Sequence, residues 1–299
     1  MTQRTPIGDG VLHDEPLAKY TAARLGGPAD MLYIARQSTE MLAAVVLAAW
    51  ADGVPVRLLG GGANVLISDK GVRGLVVVNA VSGLDFRDDG TVVAESGVSL
   101  TTLARRCLRQ NLTGFEWAVS VPGTVGGAVV NNAGAHGSNL QANLREISLL
   151  EYGHDSPRTV PADDLHYDYR TSALKHREDR RFLVLSALLG FEHAEHADIQ
   201  ARMDANIAHR KRTQPPGASL GSIFKNPPGD YAGRLIELAG LKGHSIGGAQ
   251  VSPVHANFFI NTGGATAQDY YALIVRVHEK VQQETGVSLE LEVELIGEW

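Results

Sequence analysis

Apolar residues recur along the chain with two different periods, and the switches between them mark its elements. Residues 30–34, Asp-Met-Leu-Tyr-Ile, read as a short strand. Beyond them Leu42, Val45, Val46 and Ala49 fall at i, i+3, i+4 and i+7, the stripe of a helix buried on one side. Ser38 supplies its cap, and Gly53 with Pro55 stops it. Val56-Arg57-Leu58-Leu59 returns to a strand, so the stretch predicts a β–α–β unit. That strand runs directly into Gly60-Gly61-Gly62-Ala63-Asn64 and then Val65-Leu66-Ile67, a ligand-type loop between strands.

From Gly74 the pattern turns β-rich, with strands expected over 75–78, 91–94, 147–152 and 182–189. One helix interrupts them, capped by Ser99, with Leu100, Leu103, Ala104, Cys107 and Leu108 on one face. Residues 197–212 predict a polar helix with Ile199, Met203 and Ile207 inward, ended by Gln214-Pro215-Pro216-Gly217. A third region carries a glycine-rich loop around Ser222, a helix over 231–239, a strand over 257–261 and a long helix over 266–285. Thr266 caps that helix, Gly286 stops it, and Tyr270, Leu273, Ile274, Val277 and Val281 face the core. A last strand is expected over 288–296, and residues 1–20 read as an irregular lead-in.

Charge and composition narrow the partners. The 27 Lys and Arg against 33 Asp and Glu leave a net charge of −6, too little basic surface for a phosphate polymer, so nucleic acid is excluded as the main partner. A single cysteine, Cys107, rules out an internal disulfide and any cysteine-based metal site, and its place on the helix face makes it a core residue. The longest apolar stretch, 41–51, is far short of the roughly 20 residues that span a bilayer, and residues 1–19 lack a signal-peptide core. A soluble, cytoplasmic protein with no membrane partner is expected. Glycine is the outlier, 33 of 299 residues or about 11%, against roughly 7% on average.

Familiar signatures fail. No G-x-x-x-x-G-K-[ST] occurs, and the loop at Gly60 lacks the third glycine of G-x-G-x-x-G and leads to a strand. His278-Glu279 has no second histidine at i+4, so zincin spacing is absent. Two G-x-S-x-G matches, at Ser219 and Ser245, raise a serine hydrolase, yet neither has a strand before the serine and a helix after it. The glycine clusters suit another chemistry. Gly60–Asn64 at a strand end can aim backbone N–H groups at a diphosphate without a cation. The second cluster, Val121 to Ala128, leads into the small residues Asn132-Ala133-Gly134-Ala135-His136-Gly137, where a planar cofactor can lie on main chain. Tight turns alone remain the simpler alternative.

The pairing of Leu59-Gly-Gly-Gly-Ala-Asn64 with Ser120-Val-Pro-Gly-Thr-Val-Gly-Gly-Ala128 and Asn132-Ala-Gly-Ala-His136 closely resembles the UDP-N-acetylenolpyruvoylglucosamine reductase (UDP-N-acetylmuramate dehydrogenase) family. So do Tyr167-Asp-Tyr-Arg-Thr-Ser172, Leu220-Gly-Ser-Ile-Phe-Lys-Asn-Pro227, Ala239-Gly-Leu-Lys-Gly243 and Leu291-Glu-Val-Glu-Leu-Ile-Gly297. The short span from Arg170 to Ser222 resembles the type II form. The resemblance implies an α+β flavoenzyme of peptidoglycan precursor synthesis, with a vanillyl-alcohol-oxidase-type FAD-binding fold and a separate α/β substrate-binding domain. Its expected parts are FAD-binding subdomains over 21–75 and 76–195, a substrate-binding domain over 196–286, and a C-terminal strand over 287–299 returning to the FAD side. Non-covalent FAD and NADPH are the implied cofactors. The implied partner is UDP-N-acetylglucosamine enolpyruvate, handled by a monomer or weak homo-oligomer.

Residue roles follow from the same resemblance. Gly60, Gly61, Gly62, Ala63, Asn64, Val65, Ser120, Pro122, Gly123, Gly126, Gly127, Asn132, Ala133 and Gly134 match the FAD-binding motifs. Ser222 matches the general acid, Arg170 the arginine that holds developing carboxylate charge, and Glu292 a glutamate that polarises the intermediate. Tyr169, Lys225, Asn226, Arg234 and His255 are expected near substrate. Each has a plainer alternative: Ser222 as a turn hydroxyl, Arg170 in a surface ion pair with Asp163, Asp164 or Asp168, and Glu290, Glu292 and Glu294 as one solvated strand face. Glu294 stands where the family usually has a basic residue, beside Glu292 if the strand is regular. The rival functions are another FAD oxidoreductase of the same fold and a non-catalytic flavin- or nucleotide-binding module, which would need none of the three catalytic candidates.

Overall fold

The computed structural model of the chain describes residues 10–299. Of the expected lead-in, residues 1–9 lie outside the described residues. Residues from 11 onward form β1 (Val11–Pro16) and a 3-10 turn, Leu17–Tyr20, which no apolar alternation announces because most β1 side chains are exposed. The chain continues through β2 (Pro28–Ala35), α1 (Thr39–Ala51), β3 (Val56–Leu59), β4 (Val65–Ile67), β5 (Val72–Asn79), β6 (Leu84–Phe86), β7 (Thr91–Glu95), α2 (Leu100–Arg109) and α3 (Val125–Asn131). Further on come α4 (His196–Thr213), α5 (Ala232–Leu238) and α6 (Ala267–Thr285). The described residues divide into two compact units, one of 10–12, 32–61 and 74–210, the other of 13–31, 62–73 and 211–299. These breaks differ from the boundaries expected at 75 and 195; α4, as far as Arg210, belongs with the first unit. Among the described residues no helix is long and apolar enough to cross a membrane.

The first unit is built on a five-stranded antiparallel sheet in the order Arg158–Pro161, Leu144–Glu151, Phe182–Gly190, β7, β6. Its core joins Val92 and Ala94 of β7, Leu103 and Cys107 of α2, Val125 and Val129 of α3, and Ile147, Val184 and Leu189 of the sheet. Each fully buried Val, Leu or Ile among them contributes roughly 1.5–3 kcal/mol of apolar burial. Burial, then the charge of Glu116, pushes the Cys107 thiol up to about 12, as befits a core residue. α1 is capped as its sequence predicts, Ser38 Oγ accepting from the Met41 amide at 3.2 Å. β3 pairs in parallel with β5, Val56–Leu59 beside Leu75–Val78. Ile207 of α4, expected inward, is 39% exposed, whereas Ile199 and Met203 are buried.

The second unit carries a four-stranded antiparallel sheet, Ala218–Ser222, Phe258–Asn261, Ala249–Val251, Ser245–Ile246, against α5 and α6. α6 has a full capping box between Thr266 and Asp269, and Asp69 accepts from the Ala267 and Gln268 amides, both at 2.9 Å. Tyr270, Leu273, Ile274, Val277 and Val281 are buried, the stripe its period predicts. Two expectations change here. Ser222 ends a strand and does not lie in an open loop, the β period being hidden by Gly217 and Gly221. The last strand shortens to Glu294–Ile296, pairing in parallel with β4 inside this unit.

Candidate active site

In the first unit, strand ends and helix starts enclose a cavity of about 360 Å³, lined among others by Gly60, Gly61, Asn79, Ser82, Ser99, Thr102 and Thr124. Two segments are zipped to make its wall: Leu100 N donates to Gly123 O at 3.1 Å, and Val125 N to Val98 O at 2.9 Å. A Cβ at Gly60 would sit 2.5 Å from Thr124 Oγ1, so only glycine allows the loop this close. Glycine main chain and the hydroxyls of Ser82, Ser99, Thr102 and Thr124, beside the apolar Val78, Ala80 and Val98 and with no basic side chain among the lining residues, suit a diphosphate held by backbone N–H groups. Ser120 Oγ is buried without a protein partner, a polar atom that a bound ligand would satisfy. The residues therefore fit a flavin dinucleotide. Asn79, Ser82 and Thr102 escaped sequence reasoning; Ser99 reads there only as a helix cap, and Thr124 lies within the 120–128 motif without a role of its own.

Other motif residues do scaffold work. Gly126 N donates to Ser96 O at 2.8 Å, seating α3 beneath β7, while Thr124 Oγ1 caps the Gly127 amide at 3.4 Å. Gly134 opens a two-stranded ribbon with 138–139, and Ala133 N closes on Ala128 O. Gly62 O accepts from Ala22 N at 2.9 Å within the second unit, and Val65 belongs to β4.

Arg170 sits in the first unit on a turn closed by reciprocal bonds between Asp168 and Thr171, at 3.3 and 3.2 Å. Its φ is +56°, and Tyr169 N is held by Asp168 Oδ1 at 2.6 Å. Three bonds pin the turn to the end of α3: Tyr167 OH to Val129 O at 2.9 Å, Ser172 Oγ to Val130 O at 2.6 Å, and Asn132 Nδ2 to Asp168 O at 3.1 Å. Asn132, itself left-handed at φ +44°, ends the helix and holds the turn at once. Such an unfavourable backbone persists only where its surroundings over-determine it. Tyr169 is 51% exposed, and its ring lies 5.9 Å from Arg170 Cζ.

Ser222 and Glu292 share the second unit. A register shift between Ser219 and Ser222 marks a bulge against Phe258–Asn261, with Gly221 at φ +76°. A bulge with a left-handed glycine re-aims the following side chain, here the Ser222 hydroxyl. Beyond it Asn257, 2% exposed, clamps Phe224 with both ends of its amide, Oδ1 accepting from Phe224 N at 3.0 Å and Nδ2 donating to Phe224 O at 2.8 Å. Glu292 N donates to Ile223 O at 2.8 Å, which sets the glutamate's main chain beside Ser222. Asn64 Nδ2 donates to Glu292 O at 3.0 Å, so the side chain of this glycine-loop residue holds the glutamate segment. Because Glu292 and Val293 amides both turn to Ile223 O, this stretch is not regular strand, and a shared face for Glu292 and Glu294 does not follow.

The remaining substrate candidates have local partners. Lys225 pairs with Glu290 at 2.5 Å, Asn226 Oδ1 accepts from Ala232 N at 3.1 Å, and Arg234 is ion-paired with Asp230. His255 rests edge-on against Phe258 at 4.8 Å and is drawn below the usual imidazole range by burial.

A glycine-walled cavity that fits a flavin dinucleotide, in the first of two compact units, points to the class of FAD-binding proteins. Residues 31–151 match an FAD-binding domain, and 213–296 match the C-terminal domain of UDP-N-acetylenolpyruvoylglucosamine reductase. The chain belongs to the UDP-N-acetylenolpyruvoylglucosamine reductase family. It is 39% identical over 289 residues to the reductase of that name from Geobacillus kaustophilus, covering 96% of this chain and 93% of the relative. It is 43% identical over 286 residues to that from Rubrobacter xylanophilus, covering 95% of each. The crystal structure of the reductase from Thermus caldophilus superposes with a TM-score of 0.80 at 33% identity, covering 95% of this chain and 98% of that one.

Proposed function

We propose that the chain is the flavoenzyme that reduces UDP-N-acetylglucosamine enolpyruvate to UDP-N-acetylmuramate in peptidoglycan precursor synthesis. The observation that carries this reading is the Ser222 bulge with Glu292 bonded beside it, in a segment matched to the family's own C-terminal domain. A binding module would need no such serine. Gly60, Gly61, Ser99, Thr102, Thr124 and Ser120 would hold FAD. FAD supplies a hydride, taken from NADPH, to C3 of the enolpyruvyl group.

Negative charge then grows at C2 and spreads into the substrate carboxylate. Arg170 holds that carboxylate with its planar guanidinium fork. Ser222 gives its hydroxyl proton to C2, a strong enough base to take one from a weak acid within hydrogen-bond reach. Glu292 polarises the enolic form of the intermediate, and the proton that Ser222 gives up is replaced from solvent. A cytosolic location goes with NADPH as donor and a nucleotide sugar as substrate, and monomer or weak homo-oligomer is the assembly we assign. The test is optical. Purified protein should be yellow, bleach with NADPH and recover its colour when the UDP-sugar enolpyruvate is added; bleaching without recovery would overturn the substrate, and absence of flavin the whole reading.

A further inference from the structure

One wall of the cavity in the first unit is a short turn with little packing to hold it. Asn79, Ala80 and Ser82 line the cavity, and of residues 79–83 only Val81 is buried. The near end of the turn is fixed by Ala80 N, which donates to Ala35 O at 2.8 Å, and by Asn79 Nδ2, which donates to Ser96 Oγ at 2.7 Å. Its far end rests on Glu95, the last residue of β7. Leu84 pairs with Ala94, so Gly83 faces Glu95 one step past the β6–β7 ladder. Glu95 N donates to Gly83 O at 3.0 Å, and Gly83 N donates to Glu95 Oε2 at 2.5 Å. The other carboxylate oxygen, Oε1, accepts from Thr39 Oγ1 at 2.6 Å, at the first residue of α1. One half-buried side chain thus joins β7, the start of α1 and the cavity turn. A Cβ on Gly83 would come within 2.8 Å of Glu95 Cδ and Oε2, so the contact needs a glycine.

A carboxylate next to a wall that receives a diphosphate is unfavourable by charge alone. Here both of its oxygens are taken up by neutral donors of the scaffold. We propose that Glu95 is a positioning residue for the flavin: by holding the Gly83 amide it keeps Ala80 and Ser82 in the cavity wall, so that FAD meets a formed site. This rests on the assignment of the cavity to FAD above. When the turn is released, the fraction of protein able to bind falls and the apparent Kd rises in the same proportion.

The experiment is dilution of the purified holoenzyme, with the rise in flavin fluorescence as FAD leaves giving its Kd, beside amide exchange read by mass spectrometry at saturating FAD. Glu95→Ala should raise the Kd about 10- to 100-fold, the scale of a hydrogen bond to a charged group, and speed exchange in residues 79–84 while α2 and α3 exchange as in wild type. Glu95→Gln can accept from Gly83 N through its carbonyl and donate to Thr39 Oγ1 through its amide, and should stay within about 3-fold of wild type. Gly83→Ala, which displaces the same carboxylate from the other side, should match Glu95→Ala, and the double variant should be no worse than either. Gly83→Ala decides the matter if Glu95→Ala does not fold. An unchanged Kd in the alanine variants, or faster exchange throughout the first unit, overturns the inference. So does Glu95→Gln if it loses as much as Glu95→Ala, or if it binds FAD more tightly than wild type, since either would make the charge and not the bonds decisive. Wild-type protein that carries no FAD sinks the flavin reading, and this inference with it.

Discussion

A serine hydroxyl is a poor acid, so the proton donation proposed for Ser222 must rest on its placing and on the basicity of what it meets. The bulge at Gly221 turns its side chain, and the Asn257 clamp on Phe224 fixes the chain directly after it. Ser222→Ala should therefore split the reaction. Bleaching by NADPH needs no proton from this residue and should keep its wild-type rate, whereas recovery by substrate should slow by about 10²–10⁴-fold, the usual worth of a general acid. Stopped-flow absorbance separates the two phases; equal loss in both would make Ser222 structural. Neighbouring roles were less open to sequence reasoning. Asn64 stands in a glycine motif that suggests a cofactor loop, yet its amide holds Glu292 O across 228 positions of sequence. Asn257 gave no signal, because a buried amide satisfying one backbone segment has no periodicity to betray it.

Elements carry these residues to their places, and two of them can be loosened selectively. Asn132 is left-handed and pins Asp168 O, so Asn132→Gly keeps the backbone conformation and removes only the side-chain bonds. The loss should be about 1–3 kcal/mol of stability. Activity should fall further than stability explains, because the Arg170 turn is freed; a urea midpoint and kcat/KM measured together would show it. α4 is anchored by Glu116, which accepts from Thr113 at 2.6 Å, from Gly114 N at 2.8 Å and from Arg202 at 3.0 Å. Burial alone would raise this carboxyl, but those bonds outweigh it and hold its pKa below 4.5. A depressed carboxyl stabilises above its unfolded value, and that contribution is lost as pH falls through the folded one. Glu116→Gln should thus lower the urea midpoint at pH 7 and flatten its fall below about pH 4.5. α1, α2 and α6 were legible to within a residue or two because cap, stripe and stop agree. β1 and residues 288–293 were not: one is an exposed edge, the other extended chain tied by single bonds to Ile223 and Lys225 rather than by a ladder.

At the scale of the whole molecule, two apolar clusters stand out among the described residues, one joining α2 and α3 to the five-stranded sheet and one joining α5 and α6 to the four-stranded sheet. The residues fitted to FAD all belong to the first compact unit, from the end of β3 through the turn at Ser82 to the wall at 97–102 and Thr124. A ligand that binds only the folded form stabilises it by about 2.7 kcal/mol at one hundred times its Kd. That energy belongs to whichever cooperative unit must open to release it. Removing FAD should accordingly speed amide exchange at β3, at residues 78–82 and along 97–102, whereas α6, with its capping box and its bonds from Asp69, should exchange as before. Hydrogen exchange read by mass spectrometry on flavin-free and flavin-loaded protein distinguishes the cases peptide by peptide. Protection gained chiefly within 211–299 would mean that the dinucleotide is held by the second unit and that the Gly60 cavity is not its site. Protection gained evenly through both would mean that the two cores open as one, and a single melting transition that moves with FAD concentration should then accompany it.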